Sequence, residues 1–195
     1  MIISKRDTSD IFNGCLSYLK ETITSEFSEG ESWAGIGITG LVGSPTQYNT
    51  HNSPGTHQNV SLQIFLGGKY ILPCAYSLMG RRDPTYKDSY LKGWVFYGRN
   101  KNNVWINLSS YSNKAFSFGE KRTFLLNSSE SYNAFMLKMT ETSTHNNWYL
   151  CLGQIEVYGD IYSKPHSYDW KKCTSVNGFH NSKLFLIFIF IYSYT

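Results

Sequence analysis

The chain reads as an all-β sandwich, and three observations predict it. Aromatic residues make up 16% of the 195 residues and charged residues only 16%, against roughly 25% charged in an ordinary soluble domain. Large side chains in that proportion suit cross-strand pairs on pleated surfaces. Short runs of alternating apolar and polar residues recur, each closed by Gly, Asn or Ser. Between residues 90 and 159 an aromatic returns in strand after strand, as in Leu91-Lys92-Gly93-Trp94-Val95-Phe96-Tyr97 and Asn103-Val104-Trp105-Ile106-Asn107-Leu108. A chain of this length can bury a sizeable core in one domain and carry appendages besides.

Residues 1–8 read as an N-terminal extension. Residues 9–23 read as a short amphipathic helix packed across one end of the sandwich. Ser9 or Asp10 can cap it, and Phe12, Leu16, Leu19 and Ile23 share one face. From residue 34 the period changes to two: Ile36 and Ile38 alternate with glycines, and a polar loop follows over residues 43–57. Val60, Leu62, Ile64 and Leu66 then alternate with Ser61, Gln63 and Phe65, the pattern of a half-buried strand. Gly67-Gly68 turns the chain. Residues 71–78 form the next strand, which Pro73 confines to an edge or a bulge. Residues 79–88 are a polar loop with Arg81, Arg82, Asp83 and Pro84.

Further strands are expected around Trp94, Trp105, Phe124, residues 135–139 and residues 149–158, the regular spacing of a sandwich or barrel. Trp94 and Trp105 supply large buried area at the ends of neighbouring strands. Gly98 and Gly159 suit tight exits from strands, and residues 100–103 a turn. The domain thus spans residues 9–160. Residues 161–195 are a tail, a polar linker and then the apolar run 184–191, with little order expected. That run is shorter than the about 20 residues a membrane-spanning helix needs.

Cys15, Cys74, Cys151 and Cys173 lie far apart with no Cys-x-x-Cys pair, which argues for reduced core thiols and against structural zinc. Met1-Ile2-Ile3 is followed at once by Lys5, Arg6 and Asp7, so a cytoplasmic location is expected. Sequons at Asn59, Asn107 and Asn127 would matter only outside the cell. The formal charge of +4 comes without a basic run, and no nucleic-acid partner is expected.

Five short motifs in order carry a family resemblance: Tyr76-Ser77-Leu78, Leu91-Lys92-Gly93-Trp94-Val95, residues 98–105 ending in Val104-Trp105, Phe135-Met136-Leu137, and Ile155-Glu156-Val157-Tyr158-Gly159. Over residues 12–159 the chain resembles the coagulation factor V/VIII type C domain, also called the discoidin or galactose-binding-like domain. Phe12-Asn13-Gly14 and Tyr18-Leu19-Lys20 resemble the lead-in of its intracellular, protist-type branch. The resemblance implies an eight-stranded jelly roll whose loops at one end bind ligand without catalysis.

The chain departs from the family in places. Extracellular members join the domain ends by a disulfide, whereas Cys151 falls inside the last strand region, and no bridge to Cys15 is expected. The usual Ser-Asn-Asp before the second Trp is Arg99-Asn100-Lys101 here. The apolar spikes of membrane-binding members have no counterpart in the polar residues 43–57, so membrane contact is not expected.

Chemistry points the same way. The chain lacks a Gly-x-Ser-x-Gly elbow, a His-Glu-x-x-His pair, a phosphate-cradling loop and a dinucleotide fingerprint, so it is read as no enzyme and no cofactor is expected. His51 and His57 lie six apart in a polar loop and no Asp-rich cage is present, so no metal is expected either. The expected binding face consists of three loops, over residues 43–57, 79–88 and 140–148. It gathers His51, His57, Arg81, Arg82, Asp83, Asn146 and Trp148. In sugar-binding members of the family a His, an Arg and an Asn engage hydroxyls and an aromatic covers the ring. Planar guanidinium and amide groups suit paired hydroxyls, and an indole adds an apolar surface and a donor. The partner expected first is a protein bound through these loops, with a galactose-type glycan as the alternative.

Overall fold

The alternating apolar residues do what a period of two requires: Val60, Leu62, Ile64 and Leu66 are all fully buried. They belong to or flank β3 (Ser61–Phe65) in a computed structural model of the chain, which describes residues 2–9, 13–27, 41–42, 60–82 and 89–167. The other strands among the described residues are β1 (Ile3–Lys5), β2 (Thr24–Phe27), β4 (Tyr70–Gly80), β5 (Trp94–Arg99), β6 (Trp105–Tyr111), β7 (Lys121–Leu125), β8 (Ala134–Met139) and β9 (Leu152–Tyr162). They form one sheet in the order β1-β9-β4-β7 and a second in the order β2-β3-β8-β5-β6. Every pairing is antiparallel. From β3 to β9 the chain crosses between the sheets at all but one connection, β5 to β6, which is the path of a jelly roll. The all-β expectation holds, with nine strands described where eight were expected.

The N-terminal region differs in detail. Residues 3–5, set apart in sequence as extension, add β1 to the sheet by pairing with β9, Ile3 opposite Ile161 and Lys5 opposite Gly159. Arg6 then pairs with Asp160. The helix α1 spans only Cys15–Leu19 and packs against β9 rather than across an end of the sandwich. Its first amide groups are met by a residue distant in sequence: Leu16 N and Ser17 N donate to the Glu156 carboxyl group, at 2.7 and 3.0 Å. Ser9 lies outside the helix, and Asp10 and Phe12 lie outside the described residues. The helix stops where Thr22 N and Thr22 Oγ1 both donate to Leu19 O and the β-branched run Thr22-Ile23-Thr24 leads into β2. Leu16 and Leu19 are buried as their spacing predicts, and Ile23 is buried too although it lies past the end of the helix.

Pro73 sits in an internal strand, since β4 has β9 on one side and β7 on the other. It is tolerated at a bulge: the register of β4 with β9 shifts between Pro73 and Ala75. Gly159 faces this bulge with φ 156°, and a Cβ there would lie 2.0 Å from Leu72 O. It therefore serves the middle of β9, not a strand exit. Gly98 likewise lies within β5, where its bare face receives the Tyr132 ring. The turn over residues 100–103 is as read: Asn103 has φ 61°, and Asn100 Oδ1 accepts from Asn102 N and Val104 N.

Aromatic rings fill the space between the sheets. Tyr76 of β4 stacks on Phe96 at 4.1 Å and on Phe124 at 5.0 Å. Trp94 lies 5.1 Å from Tyr111 and edge-on to Phe124. The two polar tips are satisfied together, because Trp94 Nε1 donates to Tyr76 Oη at 3.0 Å and that hydroxyl also bonds Ser109 Oγ at 2.9 Å. Trp105 is only half-buried, beneath the Arg99 guanidinium. Cys15 and Cys151 are buried free thiols and Cys74 a half-buried one, while Cys173 lies outside the described residues. Burial pushes the Cys15 thiol well above its usual range.

Candidate binding site

The two β4 and β9 termini that meet at one end of the sandwich define the candidate face. Gly80 closes β4 opposite Leu152, the first residue of β9. The chain from Met139 to Leu152 joins β8 to β9 at that same end. Arg81 follows β4 directly, so it comes to lie beside this loop: its Nη1 is 3.8 Å from Cys151 Sγ, three residues past Trp148. The guanidinium is buried, with the residue 2% exposed, so Arg81 is part of the floor beneath the loop rather than its surface. Arg82 is half-buried, its Cγ 3.6 Å from where a Cβ on Gly119 would stand.

The loop over residues 140–148 is built on Ser143. Ser143 N donates to Asn147 O at 2.7 Å, Asn146 N to Ser143 O at 3.0 Å, and Ser143 Oγ to Asn147 Oδ1 at 2.6 Å. Closing so tightly requires a left-handed residue, and Asn146 supplies it at φ 55°. Asn146 is thereby presented to solvent, with His145 beside it. Trp148 is half-buried and packs against the core, which leaves part of its ring at the surface. Two ties hold the loop to the segment that leads into β5: Thr144 N donates to Tyr90 O and Tyr90 N to Thr144 Oγ1. A third is Glu141, which accepts from Asn113 N at 3.0 Å and pairs with Lys92 at 3.5 Å.

Of the residues selected from sequence, Arg81, Arg82, Asn146 and Trp148 lie at this end. His51, His57 and Asp83 lie outside the described residues. Sequence reading passed over Ser143, Thr144 and Glu141, which shape the loop, and over His145. The last was legible in principle, since His145-Asn146-Asn147-Trp148 groups two ring systems and two amides within four residues. Chemically the end offers a guanidinium, an amide, an imidazole and part of an indole. Groups of these types can donate to and accept from hydroxyls, and an indole offers an apolar surface. Among the described residues no group of three or more His, Cys, Asp and Glu side chains is placed to hold a metal ion.

Two recesses lie at the opposite end. One, of about 250 Å³, is lined by residues including Ile106, Leu126, Glu130 and Tyr132. The other, of about 310 Å³, is lined by Ile2 and residues 162–166. Neither touches Arg82 or the loop over residues 140–148.

No family model matches the sequence, and no curated protein sequence does either. Solved structures do match in fold. The Clostridium perfringens module CpGH89CBM32-5, solved in complex with GalNAc-β-1,3-galactose, superposes with a TM-score of 0.57 at 13% identity, over 72% of this chain and 98% of its own. The family 32 CBM from C. perfringens NanJ, in complex with galactose, gives 0.54 at 11% identity, over 72% and 96%. A fucolectin from striped bass (Morone saxatilis) serum gives 0.52 at 15% identity, over 71% of this chain and 47% of its own. The chain therefore has the discoidin, or galactose-binding-like, β-sandwich fold that these family 32 carbohydrate-binding modules share.

Proposed function

We propose that this chain is a non-catalytic binding module and that it takes a galactose-type glycan at the end of the sandwich carrying Arg82, His145, Asn146 and Trp148. The observation that carries the reading is the Ser143-centred turn. It fixes the Asn146 backbone in a left-handed conformation, with that residue's amide and the neighbouring His145 imidazole exposed near the partly exposed Trp148, on a loop anchored at three points. A preorganised set of this kind loses little entropy on binding hydroxyls. The likeness to modules solved with galactose and GalNAc-β-1,3-galactose supports the ligand class. Arg81 acts beneath the loop as a positioning group.

Titration calorimetry with galactose and with GalNAc-β-1,3-galactose tests the proposal. Trp148→Ala and Asn146→Ala are each expected to weaken binding about tenfold or more, the loss of about 1.4 kcal/mol, while a charge change at the opposite end, Glu130→Gln, leaves it unchanged. A glycan array without signal, together with a protein captured through the same residues, would instead establish the protein-recognition reading. A glycan ligand also requires a compartment where glycans are displayed, against the cytoplasmic expectation.

A further inference from the structure

Glu156 lies in the middle of β9, opposite Ser77 of β4, and is fully buried. Ile155 and Val157 on either side face the core between the sheets, so Glu156 faces the other way. There it meets α1. Leu16 N and Val157 N donate to Oε1 at 2.7 and 2.9 Å, and Ser17 N donates to Oε2 at 3.0 Å. Gly14 makes room, since a Cβ on it would lie 2.3 Å from Glu156 Cδ. The Ser17 hydroxyl is within hydrogen-bond reach of two acceptors at once, Glu156 Oε2 and Val42 O.

A hydroxyl carries one hydrogen. If the carboxyl is ionised, either Ser17–Val42 or Ser17–Glu156 becomes two oxygens facing each other with no proton between them. If the carboxyl is neutral, Oε2–H donates to Ser17 Oγ, Ser17 donates onward to Val42 O, and Oε2 still accepts Ser17 N. Every hydrogen then has a place.

We propose that Glu156 is carried as the neutral acid in this arrangement and is a proton-linked latch: through Ser17 it fastens α1 and Val42, the lead into residues 43–57, onto β9. Loss of that proton breaks one of the two Ser17 contacts and loosens the attachment. The surroundings agree. Burial pushes the carboxyl up to about 7, against the opposing pull of its four hydrogen bonds. The titratable groups on the elements packed around it are Cys15 and Tyr18 on α1, Lys5 on β1, Tyr70, Cys74 and Tyr76 on β4, and Tyr158, Asp160 and Tyr162 on β9. Arg6 is taken by Asp160, and Lys5 by Asn13 and the Tyr18 ring. Among the described residues no cation pairs with Glu156.

The test is an NMR titration of the Glu156 side-chain carboxyl carbon in the ligand-free protein between pH 5 and 8, with amide hydrogen exchange followed in parallel. The expected midpoint lies near neutrality. Protection of the Leu16 and Ser17 amides, corrected for intrinsic rates, is expected to fall about tenfold or more between pH 5.5 and 8, the effect of one pKa unit or more. Glu156→Gln should show no such fall, and should Glu156→Gln fail to fold, Ser17→Ala should make the Val42 carbonyl shift independent of pH. A carboxyl already ionised at pH 5.5, or protection that does not change with pH, overturns the latch. A link from the latch to ligand binding rests on the loop-face reading above. If the titration is as described while galactose affinity is flat from pH 5.5 to 8, the latch stands and that link falls.

Discussion

The Tyr132 ring rests on Gly98 so closely that replacing Gly98 with alanine should cost more than its size suggests. The added methyl carbon would lie 2.5 Å from Tyr132 Cγ and 2.7 and 2.8 Å from its two Cδ atoms, where unstrained carbon contacts are about 3.5–4.0 Å. The ring must retreat by about 1 Å, and it is held on three sides. Its backbone exchanges two hydrogen bonds with Ile71, at 2.8 and 2.9 Å. Its hydroxyl accepts from Ser128 Oγ at 3.1 Å, and its edge meets the Phe135 ring. Overpacking of this kind costs about 1–3 kcal/mol, which for a domain of this size lowers Tm by about 2–4 °C per kcal/mol. Urea unfolding of wild type, Gly98→Ala, Tyr132→Ala and the double variant measures it, with m expected to stay constant. Tyr132→Ala alone should cost about 3 kcal/mol, and the double variant at least about 1 kcal/mol less than the sum of the singles. The reasoning is refuted if Gly98→Ala lies within about 0.5 kcal/mol of wild type or if the two costs add.

Three further outcomes are expected. Tyr76→Phe removes the acceptor of the buried Trp94 indole N–H and should cost about 1–3 kcal/mol, read by denaturation and by a change in tryptophan emission; unchanged stability would show that the indole finds another acceptor. Stability should fall as pH rises from about 4.5 to about 7, because the folded chain keeps the Glu156 proton over that window while the unfolded chain releases it at its ordinary value near 4.5. The difference approaches about 3 kcal/mol and is read as wild type minus Glu156→Gln in melts across pH. Asn146→Val, which places a β-branched residue at φ 55°, should destabilise by about 1–2 kcal/mol while Asn146→Gly is nearly neutral; equal stabilities would mean the left-handed turn is not kept.

What could be read from sequence was what local periodicity and turn chemistry decide. The inward set Val60, Leu62, Ile64 and Leu66 and the turn after Arg99 are both in place, because period two and an Asx turn act within a few residues. What could not be read depends on contacts made across the chain. Gly98 gives no local sign that a ring 34 residues on will lie against it. The helix reads as longer than Cys15–Leu19 because its actual start is set by a carboxyl group from residue 156. Glu156 itself, between Ile155 and Val157, has the pattern of an outward charge on a half-exposed strand. Only the packing of α1 onto β9 buries it. At the candidate face, Arg, Asn and Trp drew attention as residue types, whereas the shape of the loop comes from Ser143, whose buried hydroxyl is unremarkable in sequence.

Strand β9 is buried along its whole length and sits between the first strand and β4. During synthesis it is the last of the described strands to leave the ribosome. Until it arrives, β4 waits with one edge unpaired, β1 has no neighbour, and the carboxyl group that starts α1 does not yet exist. β4 and β7 can pair before then, but the four-stranded sheet cannot be completed behind the exit tunnel; it closes in one late event that joins the two ends of the domain. Folding of this kind is slow and leaves an open apolar edge in the meantime. A nascent chain halted before residue 162 should thus be a substrate for chaperones rather than a smaller version of the domain.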